Sequence, residues 1–246
     1  MSSNVVTYES HDGIAVITIN RPEKRNAFNP EVGEGLKAAW HHLNESADRV
    51  AVITGAGDRA FSAGADVGDP AENWSFMPGV GVEVRKPLIA AVNGWCIGIA
   101  VVLVQFCDLC VMAEDAKFSY PEAQLGFCGG LISSIVARIP HKVAMELILL
   151  GEPMTAQRAY EVGFVNKVVP AHHVRSEAMA YAQRLALNAP LVIELLKNFT
   201  GQCLPKGPAE LSGIARTALA RVADSADQQE GRLAFREKRK PVFTGR

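Results

Sequence analysis

The stretch from Lys86 to Gly130 constrains the fold more than any other part of this chain. Leu88 to Val92 is an unbroken apolar run, short enough for a buried strand. Asn93-Gly94 then breaks the run as a turn dipeptide. A second apolar run, Ile99 to Phe106, is long enough for about two helical turns. The reading is strand, tight glycine-bearing turn, helix. The first N–H groups of a helix have no partner inside it. The aligned peptide dipoles make that end electropositive. A helix that starts just after a glycine turn therefore offers a place for negative charge, either a phosphate or an oxyanion formed during a reaction.

Strands and helices alternate on both sides of this stretch. Gly13–Ile19 reads as a strand closed by Asn20-Arg21-Pro22. Asn29-Pro30-Glu31 has the form of a helix start: a capping residue, a proline at the first position and an acid in the first turn. That helix is expected to run to Glu45, followed by a strand at Val50–Thr54. Asp69–Glu83, with its Pro and Gly residues, reads as a long mobile loop. Further strands are expected at Asp108–Ala113, Lys117–Ser119 and Val165–Val169. Helices are expected at Gly129–Arg138, His141–Leu150 and from Thr155 to Gly163. Beyond Pro170 the pattern is helical throughout, with a capping box at Ser225-Ala226-Asp227-Gln228. This order implies an α/β core over residues 1–190 and a C-terminal helical region over 191–246.

Composition narrows the function. Hydrophobic residues make up 48% of the 246 and the net charge is −1, as in a globular protein. So balanced a charge gives no electrostatic reason to expect nucleic acid or an anionic membrane surface as a partner. The 88–106 stretch is interrupted by Asn93, Gly94 and Gly98, which argues against a membrane span. Five cysteines and no signal-peptide apolar segment in the first 13 residues lead us to expect reduced thiols and a cytoplasmic setting. Cys107-Asp108-Leu109-Cys110 has CxxC spacing, but no second pair completes a zinc site, so core cysteines are expected and no metal. Gly55-Ala56-Gly57-Asp58-Arg59-Ala60 follows a strand in GxGxxA form. A dinucleotide site would then open a long helix, and here small residues and loop follow instead.

Phe61-Ser62-Ala63-Gly64-Ala65-Asp66 is more informative. Small residues at a strand end let a ligand approach the backbone. Paired with the turn at Gly98-Ile99, this segment offers two peptide N–H groups that could converge on one oxygen. Three segments together resemble the crotonase family, the enoyl-CoA hydratase/isomerase superfamily. They are Ala60–Asp66, Lys86–Gly94 and the run Ala116-Lys117-Phe118-Ser119-Tyr120-Pro121-Glu122. Arg236-Glu237-Lys238-Arg239-Lys240-Pro241 is similar to the family's closing motif, and the resemblance runs from Val5 to Phe243.

The resemblance implies a spiral of ββα units with a C-terminal α-helical trimerisation region, in a homo-oligomer that is a trimer or hexamer. It implies an acyl-CoA thioester substrate, and no cofactor beyond the coenzyme A that the substrate carries. By motif match the oxyanion hole is the backbone N–H of Ala65 and of Ile99. Lys24, Arg25, Ala27, Ala63, Asp66 and Gly98 are implied in substrate or CoA binding, with Phe235 and Lys238 reaching a neighbouring subunit's CoA.

Hydratases of the family carry two glutamates. One position is Glu122; the other, three residues after Ile99, is Val102, which carries no proton. The segment Phe127-Cys128-Gly129-Gly130 is also shorter than the family's equivalent and lacks its proline. A single acid/base at Glu122 suits an isomerase-like proton shift or an atypical hydration. Decarboxylase, hydrolase or C–C lyase chemistry stays open at this point, as does a non-catalytic acyl-CoA-binding role.

Overall fold

The computed structural model describes residues 5–246. Among these residues ten strands form two sheets. β1 (Val6–His11) pairs antiparallel with β2 (Ile14–Ile19) through a turn at Asp12-Gly13, both with positive φ. β3 (Val50–Gly55), β5 (Leu88–Val92), β7 (Leu109–Ala113) and β10 (Lys167–Val169) extend that sheet in the order β1-β2-β3-β5-β7-β10, all parallel from β2 onward. A second sheet has the order β4-β6-β8-β9, from β4 (Ala60–Ser62), β6 (Trp95–Ile97), β8 (Lys117–Ser119) and β9 (Met154–Thr155). From β3 to β8 consecutive strands alternate between the two sheets. Each pair is one turn of a spiral, and the second and third turns close with α2 (Ile99–Gln105) and α3 (Glu122–Leu125).

β5 is buried at all five positions, as a strand covered on both faces must be. Its cover includes α6 (Val174–Ala186), which buries Val174, Ala178 and Ala182 at four-residue spacing and packs on β3, β5 and β7. α1 (Pro30–Glu45) buries Val32, Leu36, Trp40 and Leu43. Its cap is formed as expected: the Asn29 side chain accepts from the Val32 N–H at 3.1 Å, with Pro30 at the first position. Thr155 and Ser225 cap α5 (Ala156–Glu161) and α9 (Ala226–Glu237) in the same way. α7 (Pro190–Cys203) and α8 (Pro208–Ala223) complete the helical C-terminal part.

Four expectations need correction. Asp69–Glu83 is packed: Phe76 and Met77 are fully buried, and the Trp40 indole N–H donates to Phe76 O at 2.9 Å. Gly129–Arg138 is a 3₁₀ segment over Leu131–Ala137, entered through Gly130 with φ 76°. His141–Leu150 is α4 (His141–Met145) running into a wider π turn, Glu146–Leu150. The strand expected from Val165 begins at Lys167, because the Asn166 side chain accepts from the Cys110 N–H and the preceding residues fold back on Ala159.

Candidate active site

The spiral brings its two small-residue turns together. Gly64 sits at φ 88°, and a Cβ there would stand 2.7 Å from Ile97 O and 3.8 Å from Gly98 Cα. Only a glycine lets these two turns approach so closely. Phe28 holds the first turn in place: its N–H donates to Gly64 O at 2.8 Å and its carbonyl accepts from Asp66 N–H at 2.9 Å. These bonds bracket the Ala65 N–H, which has no acceptor among the described residues. Ile99 is the first residue of α2, so its N–H is one of the helix's unpaired donors.

Gly98 has φ 59° and ψ −122°, a backbone shape closed to side-chain-bearing residues. It also faces the carboxyl group: a Cβ at Gly98 would lie 2.6 Å from Glu122 Oε1. Glu122 starts α3, directly after Pro121, and is 7% exposed. Its Oε2 is buried with no hydrogen-bond partner. Burial pushes its pKa up to about 7. A carboxylate poised there can take a proton and return it near neutral pH.

Ala65, Ile99, Val102 and Glu122 line one cavity of about 20 Å³. Val102 forms part of this wall from α2 and is 1% exposed. The rest of the lining is Asn73, Tyr120, Phe127, Gly129 and Leu131. Asn73 escapes a motif reading, and Tyr120 lies inside the run Ala116–Glu122 without its hydroxyl being singled out. Asn73 lies in the segment expected to be a mobile loop, and Tyr120 directly follows the end of β8. Tyr120 is 3% exposed, and burial together with the nearby Glu122 charge raises its pKa, so it stays a neutral hydrogen-bond donor.

The other expected site residues lie outside the lining of this cavity. Ala63 N–H donates to Arg25 O at 2.8 Å, so the basic loop carrying Lys24, Arg25 and Ala27 lies against the first turn. The Asp66 carboxylate is taken up by Arg21 at 3.1 Å, and the same guanidinium nitrogen donates to Ala27 O. Asp66 therefore ties the two loops together. Phe235 and Lys238 do not line the cavity; Phe235 is 86% exposed on α9, and Lys238 ends that helix in a left-handed turn. No group of three or more His, Cys, Asp or Glu side chains able to hold a metal occurs among the described residues. Cys96 and Cys110 are buried, and burial raises their pKa, as inert core thiols require.

Residues 9–246 match the model of the family described as Enoyl-CoA hydratase/isomerase. The chain belongs to this family. Among curated relatives it is 32% identical to (E)-benzylidenesuccinyl-CoA hydratase of Thauera aromatica, over 98% of this chain and 99% of the relative. Among solved structures, carnitinyl-CoA hydratase from Mycobacterium avium is 37% identical with a TM-score of 0.78, covering both chains fully. Enoyl-CoA hydratase from Mycobacterium tuberculosis is 33% identical with a TM-score of 0.77, over 99% of this chain and 100% of that one. The chain is therefore an enzyme of the hydratase/isomerase family acting on acyl-CoA, and its two sheets and helices are the crotonase-like spiral. Among the described residues, no helix is long and apolar enough to cross a membrane.

Proposed function

We infer that this enzyme works on its acyl-CoA thioester through an enolate, with Glu122 as the single acid/base and the Ala65 and Ile99 N–H groups as the oxyanion hole. One observation carries the reading: Glu122, Ala65 and Ile99 line the same cavity, and the side chain facing them from α2 is Val102. Removing or adding a proton beside a thioester carbonyl puts negative charge on its oxygen. Two fixed N–H donors stabilise that charge without reorganising, and losing one such donor typically costs about 10²–10³ in rate. With one carboxyl group, the economical reaction is a 1,3-proton shift: Glu122 removes the proton at one carbon and returns it at another. Hydration at the same site is the atypical case, slower than with two acids.

Lys24 and Arg25 hold the CoA phosphates in this reading, and Ala27, Ala63, Asp66 and Gly98 shape the path of the thioester. Phe235 and Lys238 serve a neighbouring subunit's CoA in a trimer or hexamer. Residues 191–246 form the assembling region, which is supported by α7 burying none of its residues within the chain. We place the enzyme in the cytoplasm, with its thiols reduced and no cofactor beyond the substrate's own CoA.

A second reading is favoured by Val102 itself: a binding subunit that kept the hole and lost turnover. An acyl-CoA panel followed by mass spectrometry separates the two. Hydration adds the mass of water, isomerisation moves the double bond at constant mass, and a binding subunit leaves every thioester unchanged. Absence of both turnover and calorimetric binding across the panel would sink both readings.

A further inference from the structure

The cavity of about 20 Å³ has room for a single water molecule. Its polar lining matches what one water needs. Glu122 Oε2 and Asn73 Oδ1 are both buried acceptors without a hydrogen-bond partner. Tyr120 supplies an O–H on the same wall. A water in this place would have two acceptors to donate to and a phenol to accept from, three bonds in all, the usual number for a buried water. Two buried acceptors on residues lining one small cavity would otherwise carry an uncompensated desolvation cost.

We propose that this pocket holds the reacting water, and that Tyr120 and Asn73 position it against Glu122 in place of the acid missing at Val102. The proposal rests on the enolate reading above and adds a hydration step to it. The water O–C3 bond forms as Glu122 takes one water proton, and the C2–C3 π pair moves onto the thioester oxygen at the Ala65 and Ile99 N–H groups. Glu122 then delivers a proton to C2 and the enolate collapses to the 3-hydroxyacyl thioester. The sum is addition of one water, with Glu122 returned to its starting form. Tyr120 exchanges no proton; it is a positioning residue.

The test compares wild type with Tyr120→Phe, which keeps the ring and its packing and removes the hydroxyl. Two rates are read on the same preparations: ¹⁸O uptake into crotonyl-CoA from H₂¹⁸O, and α-proton exchange of butyryl-CoA in D₂O. Exchange needs Glu122 and the oxyanion hole but no positioned water, so it also reports that the variant is folded. The expected result is ¹⁸O uptake lowered about 10- to 100-fold, mainly in kcat, with exchange within about two-fold of wild type. Unchanged ¹⁸O uptake, or a parallel fall in both rates, overturns the water site. Wild-type exchange without any ¹⁸O uptake overturns it as well and leaves the enolate reading standing. No exchange in wild type overturns the enolate reading, and the water site falls with it.

Discussion

Glu122 and Gly98 are a matched pair. The carboxyl group lies where a Cβ on residue 98 would be, 2.6 Å from Oε1. Gly98→Ala is expected to cost roughly 1–3 kcal/mol of stability for the positive φ alone, and to displace the carboxyl group. Thermal unfolding beside a turnover assay should show both losses together. Glu122 also sets a pH dependence. Its pKa is raised from the ordinary 4.5 to about 7 by burial, so the basic form, and kcat/KM with it, should rise as pH increases through about 7. Stability runs the other way. The folded state binds the proton more tightly than the unfolded chain, so this contribution is complete below about 4.5 and is lost as pH rises through about 7. Glu122→Gln should therefore unfold at a higher temperature than wild type at pH 8 and at a similar one at pH 4.5. Equal melting temperatures at both pH values would contradict the burial of this group. The residue-level chemistry was partly open to sequence. The Pro-Glu pair pointed to Glu122 and the small-residue turns to Ala65 and Ile99. Tyr120 sits in the same run as the Pro-Glu pair, but nothing there marks its hydroxyl, and Asn73 could not be found, because it meets Tyr120 only by packing between segments 47 residues apart in number, from 73 to 120.

At the level of elements, α2 presents its Val102 face to the cavity, so a longer polar side chain there enters the site. Val102→Glu is expected to raise hydration of crotonyl-CoA, measured by loss of the conjugated thioester absorbance. The same change should lower the melting temperature, because a buried carboxyl group with few partners is costly. A folded variant with no gain in hydration would argue that this face does not reach the substrate. Long periodic elements were legible: α1, with its Asn29 cap, and β5, with its unbroken apolar run, lie where sequence placed them. The second sheet was largely hidden. β4 and β6 have three residues each, and β9 has two, too few for alternation to show. The 69–83 segment differs from expectation because its Pro and Gly residues signal turns, while the buried Phe76 and Met77 anchor it, with Phe76 O held by the distant Trp40 indole.

For the whole molecule, α7 leaves Leu191, Leu195 and Phe199 exposed at four-residue spacing, at 80%, 51% and 56%. Such a stripe on a helix with no fully buried residue in its own chain suits a partner copy. Light scattering should give a trimer or hexamer of the 26.4 kDa chain, and Leu195→Glu should shift it toward smaller species. A wild-type monomer at micromolar concentration would contradict the assembly and the cross-subunit role of Phe235 and Lys238. The proposed chemistry turns on one carboxyl group serving the enolate. Its most direct test is crotonyl-CoA hydration and 3-enoyl-CoA isomerisation by wild type and Glu122→Gln, assayed together. Glu122→Gln is predicted to lose at least about 100-fold in whichever reaction the wild type performs; full activity in the variant would contradict the assignment.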